Sequence, residues 1–261
     1  MLDIQGLKVS RGGTPVLREV DVSIAPGRFT ALIGPNGSGK STLMAAMAGT
    51  IPVDSGRLAL NGRPLAVLSR RVLARELSFL PQHLHSPAGL TLRELVIQGR
   101  FPWRGWLSAW TARDEEAVAK AIELSRVGAL LDRPLASLSG GQLQRAWIAM
   151  TLAQDTPVIL LDEPTTFLDV ASQLSLLDLL SRLRDDGRTV VAILHDLNQA
   201  ARYADDLVMM RDGRVVAQGK TDAIFTIENL EKVFSIRAQM VTAPTTGEQI
   251  CVPSSAGDVD G

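Results

Sequence analysis

Alternating apolar and polar positions dominate the first part of the chain and predict β-strands. Leu2 to Val9 and Val20 to Ile24 show this alternation, and the apolar run Phe29 to Ile33 follows. Arg57 to Leu60 predicts a further short strand that ends at Asn61-Gly62, a dipeptide typical of tight hairpin turns. The first part of the chain is therefore predicted to be rich in β-structure.

The middle of the chain shows helical spacing interrupted by proline and glycine. Ser69 to Arg75 predicts a helix, and Leu77 to Leu80 predicts a strand that Pro81 stops. Beyond it, Leu92 to Gly99 and Asp114 to Val127 carry apolar residues at the spacing of one helix face. We interpret about residues 83 to 151 as a helical subdomain inserted into an α/β core.

Strands and helices then alternate, which indicates a mostly parallel sheet. The predicted elements are strand Val158 to Leu161, helix Val170 to Arg184, strand Thr189 to Leu194, helix Leu197 to Tyr203 and strand Leu207 to Met210. The predicted fold class is thus α/β, with a mostly parallel central sheet, an N-terminal antiparallel β subdomain and an inserted helical subdomain. The core is expected at about residues 1 to 82 and 152 to 253, within a single domain 1 to 253.

The last part of the chain predicts a hairpin, a helix and two further strands. Asp212-Gly213 predicts the hairpin turn after Leu207 to Arg211. Ala223 to Phe234 predicts one helix, and the β-type segments are Ile236 to Val241 and Ile250 to Val252. Residues 254 to 261 are small and polar, which predicts a flexible tail.

A glycine-rich loop between the strand at Phe29 to Ile33 and an apolar helical run predicts a phosphate-binding loop. The motif G-x-x-x-x-G-K-[ST] is complete, and its residues are Gly34, Pro35, Asn36, Gly37, Ser38, Gly39, Lys40, Ser41 and Thr42. Glycines let the backbone turn its N–H groups onto a polyphosphate, and the helix start adds partial positive charge. Lys40 is expected at the β- and γ-phosphates and the Ser41 hydroxyl at Mg²⁺. The alternative is a plain strand-to-helix turn.

Two acidic residues follow the apolar run Val158 to Leu161, where the carboxyl end of a parallel strand meets the ligand edge of a sheet. Asp162 is expected to contact Mg²⁺ through water, since this ion keeps several waters. Glu163 is placed to orient or deprotonate an attacking water. The alternative is a pair of solvated acids at a strand end.

Composition excludes several classes of protein. The chain has 261 residues, 46% of them apolar, and a formal net charge of −1, and its Lys and Arg residues are scattered. A large globular α/β core is therefore possible, and nucleic acid is not expected as a partner. The single cysteine, Cys251, fits a reducing compartment. The sequence shows neither a usual export signal nor an apolar run of about 18 residues, so we expect no membrane span.

The segment Leu138-Ser139-Gly140-Gly141-Gln142 lies between the loop motif and the acidic pair. In this order it resembles the signature of ATP-binding cassette (ABC) ATPases. It also predicts a second helix start with exposed amides that face an anion. The resemblance implies ATP and Mg²⁺ as cofactors and a head-to-tail homodimer. In such a dimer Ser139, Gly140, Gly141 and Gln142 close on the γ-phosphate held by the partner's loop.

Three more residues match the family in order. Gln82 resembles the glutamine that senses Mg²⁺ and the γ-phosphate, and Asp169 resembles the aspartate that crosses the dimer interface. His195 resembles the switch histidine at the γ-phosphate; considered alone, a histidine at a helix start near Asp196 is the favoured interpretation. The resemblance assigns catalytic roles to Glu163, His195, Lys40 and Gln82.

One family position differs. ABC domains usually carry a tyrosine before the phosphate-binding loop to stack on adenine, and here the position reads Ser10-Arg11-Gly12-Gly13. Arg11 can stack through its guanidinium plane, or the base is held loosely. Selectivity for ATP over GTP therefore follows from the family only.

Further segments are similar to ATPases of ferric siderophore importers, with haem and cobalamin importers as near relatives. These segments are Gly99 to Pro102, Gln144 to Met150, Leu161 to Thr166 and His195 to Ala200. Nearby Trp103, Trp106 and Trp110 are expected either to pack beneath a loop or to form a docking patch for a membrane subunit.

The resemblance implies an ATPase subunit of a membrane importer on the cytoplasmic face of the cell membrane. Its expected partners are two permease subunits, a second copy of the chain and, indirectly, a solute-binding protein. A soluble ABC ATPase acting on DNA or ribosomes is a second possibility, but the coiled-coil insertions and basic surfaces common in that class are not visible. A module that no longer hydrolyses ATP is a third, and the intact Lys40, Glu163 and His195 argue against it.

Overall fold

The structure is a computed structural model that describes residues 1–84, 89–105, 109–245 and 247–256. The strands are β1 (Leu2–Arg11), β2 (Thr14–Ile24), β3 (Phe29–Ile33), β4 (Ser55–Leu60), β5 (Arg63–Pro64), β6 (Leu77–Leu80), β7 (Val158–Leu161), β8 (Thr189–Ile193), β9 (Asp206–Arg211), β10 (Arg214–Lys220), β11 (Ile236–Thr242) and β12 (Gln249–Ala256). The α-helices are α1 (Lys40–Met47), α2 (Arg70–Glu76), α3 (Leu92–Gln98), α4 (Ala112–Ser125), α5 (Gly140–Ala153), α6 (Val170–Asp185), α7 (Leu197–Tyr203), α8 (Thr221–Ile224) and α9 (Ile227–Phe234).

The chain divides into two compact units, and strand β8 passes from one to the other. The first unit comprises Met1–Ala66 and Val191–Gly261, and the second comprises Val67–Val190. The second unit begins earlier and ends later than the predicted helical subdomain. Within it, the side chain of Gln154, after α5, donates to the carbonyls of Ala74 (2.6 Å) and Leu77 (3.0 Å). These bonds attach the helical region to α2 and β6.

The first unit holds an antiparallel sheet in the order β2-β1-β4-β5, which agrees with the predicted N-terminal antiparallel β subdomain. Strand β2 begins at Thr14 rather than at the predicted Val20. The pairing of β1 with β2 shifts register between Leu7↔Val20 and Val9↔Leu17, and Glu19 has a φ of 57°. This bulge interrupts the alternation of apolar and polar residues. The first half of β2 was therefore not predicted as a strand.

The same unit contains the strand that enters the phosphate-binding loop. Strand β3 is buried along its whole length and pairs in parallel with β9, while β9 and β10 form the predicted hairpin at Asp212-Gly213. Burial on both faces is typical of parallel strands in α/β proteins and accounts for the continuous apolar run. In the second unit, β6 and β7 pair in parallel with Leu80 opposite Leu161.

The C-terminal region corrects two predictions. The single helix predicted at Ala223 to Phe234 is wrong, because Phe225 and Thr226 separate α8 from α9. Thr226 caps α9 by accepting a bond from the Asn229 N–H at 3.3 Å, and a threonine at this position favours a helix start over a helix interior. Strand β12 continues through residue 256, beyond the predicted start of the tail, while residues 257 to 261 lie outside the described part of the chain.

Helix α4 begins two residues before the predicted Asp114 because Thr111 and Asp114 form a capping box. Trp103, for which packing beneath a loop and a docking patch were the predicted alternatives, is half-buried. Its ring nitrogen donates to the Gln154 carbonyl at 2.6 Å, and the Arg75 and Arg100 guanidiniums lie over its ring at 5.4 Å. Trp110 donates to Glu115 at 2.7 Å, and Trp106 lies outside the described residues.

A buried ion pair joins α4 to the segment after α3. Arg100 is 1% exposed, and its guanidinium donates to Asp114 and to the Ala153 carbonyl, each at 2.9 Å. Burial alone would raise the pKa of Asp114, but hydrogen bonds from Thr111 and Arg100 outweigh it and lower the pKa. The ionised pair therefore stabilises the fold above the ordinary aspartate pKa, and this stabilisation is lost as the pH falls through the lowered value.

Replacing Arg100 with alanine is expected to lower the free energy of unfolding by about 3–5 kcal/mol, because it leaves a buried carboxylate unpaired. The melting temperature should fall by roughly 10 °C for a chain of this size. The matched control is Arg93→Ala, whose pair with Asp132 is exposed and is worth at most about 1 kcal/mol. Equal melting temperatures for the two variants would contradict a structural role for the buried pair.

Candidate nucleotide site

The phosphate-binding loop in the first unit has the backbone that the motif predicts. Gly34, Gly37 and Gly39 have φ values of 153°, 79° and 99°, which side-chain-bearing residues rarely adopt. A Cβ at Gly34 would lie 2.1 Å from the Met210 carbonyl oxygen, so only glycine fits there. Gly39 caps α1 without a side chain, so it leaves the first-turn amides to other acceptors.

The side chains of this loop fit a polyphosphate. Lys40 is 5% exposed, and its ammonium donates to the carbonyls of Gly34 (2.8 Å) and Pro35 (2.9 Å). The buried hydroxyl of Ser38 has no hydrogen-bond partner among the described residues. Ser41 and Thr42 lie in the first turn of α1. A cation, a hydroxyl without a partner and a helix start together form a site for phosphate oxygens.

His195 and Arg11 also belong to the first unit. The Leu194 N–H donates to the Leu32 carbonyl at 3.2 Å, so the chain leaves β8 beside the strand that leads into the loop. His195 is exposed at this position, and Asp196 caps α7 directly after it. Arg11 is exposed at the end of β1, before the turn at Gly12.

In the second unit the ends of β6 and β7 bring three predicted residues to one sheet edge. The Asp162 N–H donates to the Leu80 carbonyl at 2.9 Å, and Gln82 lies two residues beyond Leu80. Asp162 is 4% exposed. Glu163 follows with a φ of 54°, and its carboxylate accepts a bond from the Thr166 hydroxyl at 3.4 Å.

The signature segment begins α5 in the second unit. Ser139 caps the helix by accepting from the Gln142 N–H (3.3 Å), and the Gln142 side chain accepts from the Ser139 N–H (3.0 Å). Gly140 is exposed, and a Cβ at Gly141 would lie 3.2 Å from the Phe167 carbonyl oxygen. The signature therefore packs against the segment that leads to Asp169.

Asp169 caps α6 and accepts bonds from the N–H (2.8 Å) and the hydroxyl (2.9 Å) of Ser172. These bonds lower the pKa of its carboxyl group, with a further contribution from the charge of Arg145. Arg145 donates to the same Ser172 hydroxyl at 2.5 Å. Asp169 is thus held ionised at the surface by α5 and α6.

Magnesium was predicted at Ser41, Gln82 and Asp162. Within the described ranges, no group of three or more His, Cys, Asp or Glu side chains is arranged to hold a metal ion. Mg²⁺ at nucleotide sites is bound by one or two protein oxygens together with phosphates and water. The Ser41 hydroxyl in the first turn of α1 and the Asp162 carboxylate after β7 are oxygen ligands of the kind that Mg²⁺ prefers.

The sequence did not reveal the role of Gln144. Its amide nitrogen donates to the carbonyl of Pro164 at 3.0 Å, directly after Glu163, and the side chain is 3% exposed. No spacing rule links two residues twenty positions apart. The available signal was a polar residue within the apolar face of a predicted helix.

Comparison with known proteins decides the family. The family model for ABC transporters matches residues 17–166, which is more than half of the chain. The chain belongs to the ABC transporter family. The helices of this ABC protein that the structure describes include none long and apolar enough to cross a membrane.

Curated relatives of this ABC protein match along most of its length. The probable siderophore transport system ATP-binding protein YusV of Bacillus subtilis (strain 168) is 43% identical, covering 98% of this chain and 94% of the relative. The ferric enterobactin transport ATP-binding protein FepC of Escherichia coli (strain K12) is also 43% identical, covering 95% and 92%. The hemin import ATP-binding protein HmuV of Streptomyces coelicolor (strain ATCC BAA-471 / A3(2) / M145) is 40% identical, covering 95% and 88%.

Solved structures agree in fold. A putative metal-chelate type ABC transporter in an inward-facing conformation has a TM-score of 0.82 and 26% identity, covering 97% of both chains. The ADP- and phosphate-bound dimer of the cassette MJ0796 has a TM-score of 0.76 and 27% identity, covering 85% of this chain and 99% of that one. The predicted α/β fold class and the predicted ABC ATPase are confirmed.

Proposed function

We propose that this ABC ATPase drives import of an iron chelate, with a ferric siderophore as the first candidate. The phosphate-binding loop at the start of α1 is the observation that carries the ATPase assignment. The substrate assignment rests on the relatives named for siderophore and enterobactin transport. Haem is the second candidate, because a hemin import protein is 40% identical.

In this proposal the loop residues bind the phosphates of ATP. Gly34 to Gly39 surround them with backbone N–H groups, and Lys40 exchanges its bonds to two loop carbonyls for phosphate oxygens. Ser41 and Asp162 would hold Mg²⁺, with Gln82 beside them; the ion neutralises phosphate charge when bound. Arg11 stacks its guanidinium plane on the base, since the turn beside it carries no aromatic residue.

Glu163 aligns and deprotonates the attacking water, and His195 contacts the γ-phosphate. The dimer completes the site: Ser139, Gly141 and Gln142 of one copy face the nucleotide held by the other. Asp169, held ionised at the start of α6, would lie at the interface between the copies.

The assembly that we propose contains two copies of this chain beneath two permease subunits, supplied indirectly by a solute-binding protein. The chain would then be peripheral, on the cytoplasmic face of the membrane. We also propose that the core at about residues 1 to 82 and 152 to 253 and the helical subdomain at 83 to 151 rotate against each other during the cycle. Closure of the dimer would change the side of the membrane to which the permease opens.

Uptake of radiolabelled ferric siderophore tests the substrate. Cells that express the partner permease and solute-binding protein should take up the label only when this chain is present. The Glu163→Gln variant should not restore uptake, because transport needs hydrolysis. Haem supplied in place of the siderophore is the control substrate. If the chain is required for uptake of haem but not for uptake of ferric siderophore, haem replaces the siderophore as the proposed substrate.

A further inference from the structure

The backbone at Glu163 adopts an uncommon conformation. Its φ of 54° lies in the left-handed region, which few residues other than glycine occupy. Such conformations persist where neighbouring contacts hold them, and they are frequent at functional sites. Thr166 supplies local contacts, since its N–H donates to the Glu163 carbonyl at 3.3 Å and its hydroxyl to the carboxylate at 3.4 Å.

A contact from a different element acts on the next residue. The Gln144 amide nitrogen donates to the Pro164 carbonyl at 3.0 Å, and both residues are buried. Gln144 lies on α5, one turn beyond Gly140. The helix that begins with the signature therefore bonds directly to the peptide that follows Glu163.

We propose that Gln144 is a positioning residue that sets the direction of the Glu163 carboxylate. The inference rests on the proposed function, in which Glu163 aligns the attacking water. Without the amide, the buried Pro164 carbonyl loses its partner, and the left-handed turn at Glu163 can relax. Helix α5 begins at the signature segment. Through the bond from Gln144, the position of Glu163 therefore also depends on the position of α5.

The test variant is Gln144→Met, which keeps the length of the side chain and removes the donor. The expected result is a kcat for ATP hydrolysis about 10- to 100-fold lower, since small displacements of reacting groups cost this much. The KM for ATP should stay within about twofold, because nucleotide binding does not use Gln144. Rates are expressed per mole of ATP-binding sites, measured by equilibrium binding, so that unfolded protein does not count.

A second variant and a matched control separate positioning from packing. Gln144→Asn keeps the amide but is one methylene shorter, so it should lower kcat in the same way. Gln173→Met removes partly buried amide bonds to the Thr165 (3.3 Å) and Leu168 (3.1 Å) carbonyls, further along the same segment. That control should keep kcat within about threefold, because it leaves the peptide after Glu163 in place.

The deciding measurement is a double-mutant cycle with Glu163→Gln. If Gln144 acts through Glu163, adding Gln144→Met to Glu163→Gln should cause no further loss of rate. The same fold loss in both backgrounds would overturn the inference, and so would wild-type kcat in both Gln144 variants. Wild-type hydrolysis by Glu163→Gln alone would overturn the proposed role of Glu163 as well, so the two failures are distinguishable.

Discussion

Glu163→Gln is expected to hydrolyse ATP about 10²–10⁴-fold more slowly than the wild-type chain. The amide cannot accept the proton of the attacking water, and the residue has the same size, so the left-handed turn that follows β7 should persist. Binding of Mg-ATP should be retained, because the phosphate-binding loop belongs to a separate part of the chain.

The retained ATP gives this variant a second measurable property. Two copies that cannot cleave the γ-phosphate should stay associated, which size-exclusion chromatography with ATP would detect as a dimer. Glu116→Gln, an exposed glutamate on α4, is the matched control and should behave as the wild type. Wild-type turnover by Glu163→Gln would remove Glu163 from its proposed role.

Lys40→Met should weaken ATP binding about 10- to 100-fold. A hydrogen bond from a charged group contributes about 1.5–3 kcal/mol, and every 1.4 kcal/mol is about tenfold in affinity. Methionine keeps the length of the buried side chain and removes the ammonium. Calorimetric titration with Mg-ATP measures the effect.

Lys40 also donates to two carbonyls of its own loop, so a collapsed loop has to be distinguished from a lost phosphate contact. The melting temperature without nucleotide shows whether the substitution destabilises the loop. The increase in melting temperature on adding ATP reports nucleotide binding by mass action. Lys220→Met, an exposed lysine at the end of β10, is the control. Unchanged affinity in Lys40→Met would contradict the phosphate assignment.

Much of the fold could be predicted because the pattern and the motifs agree with each other. The strands Phe29 to Ile33 and Val158 to Leu161 and the helix Leu197 to Tyr203 have the predicted bounds, and a helix follows the glycine-rich loop as predicted. The two strands are continuous apolar runs, and the two helices begin directly after capping residues, Gly39 and Asp196. Asp212-Gly213 likewise forms the predicted hairpin turn.

The errors occur where local chemistry interrupts a pattern. The bulge at Glu19 concealed the start of β2, and the cap at Thr226 divided a run that reads as one helix. The Thr-x-x-Asp capping box at Thr111 was visible in the sequence and would have corrected the start of α4.

Contacts within the site were mostly beyond prediction. The motifs named the residues and their order, but the left-handed backbone of Glu163 and its connection to α5 depend on tertiary packing. Side-chain bonds across twenty positions leave no period in a sequence. The sequence of α5 shows only that Gln144 is a polar residue on a mostly apolar face of the helix.

The reciprocal bonds between Ser139 and Gln142 have a consequence for the reversibility of the cycle. In the single chain, the N–H groups of Ser139 and Gln142 already have acceptors of their own. A departing phosphate would therefore leave these two donors satisfied, and they would add little desolvation penalty to the separation of two copies. A low penalty for separation lets the two copies dissociate after each hydrolysis, which a repeated transport cycle requires.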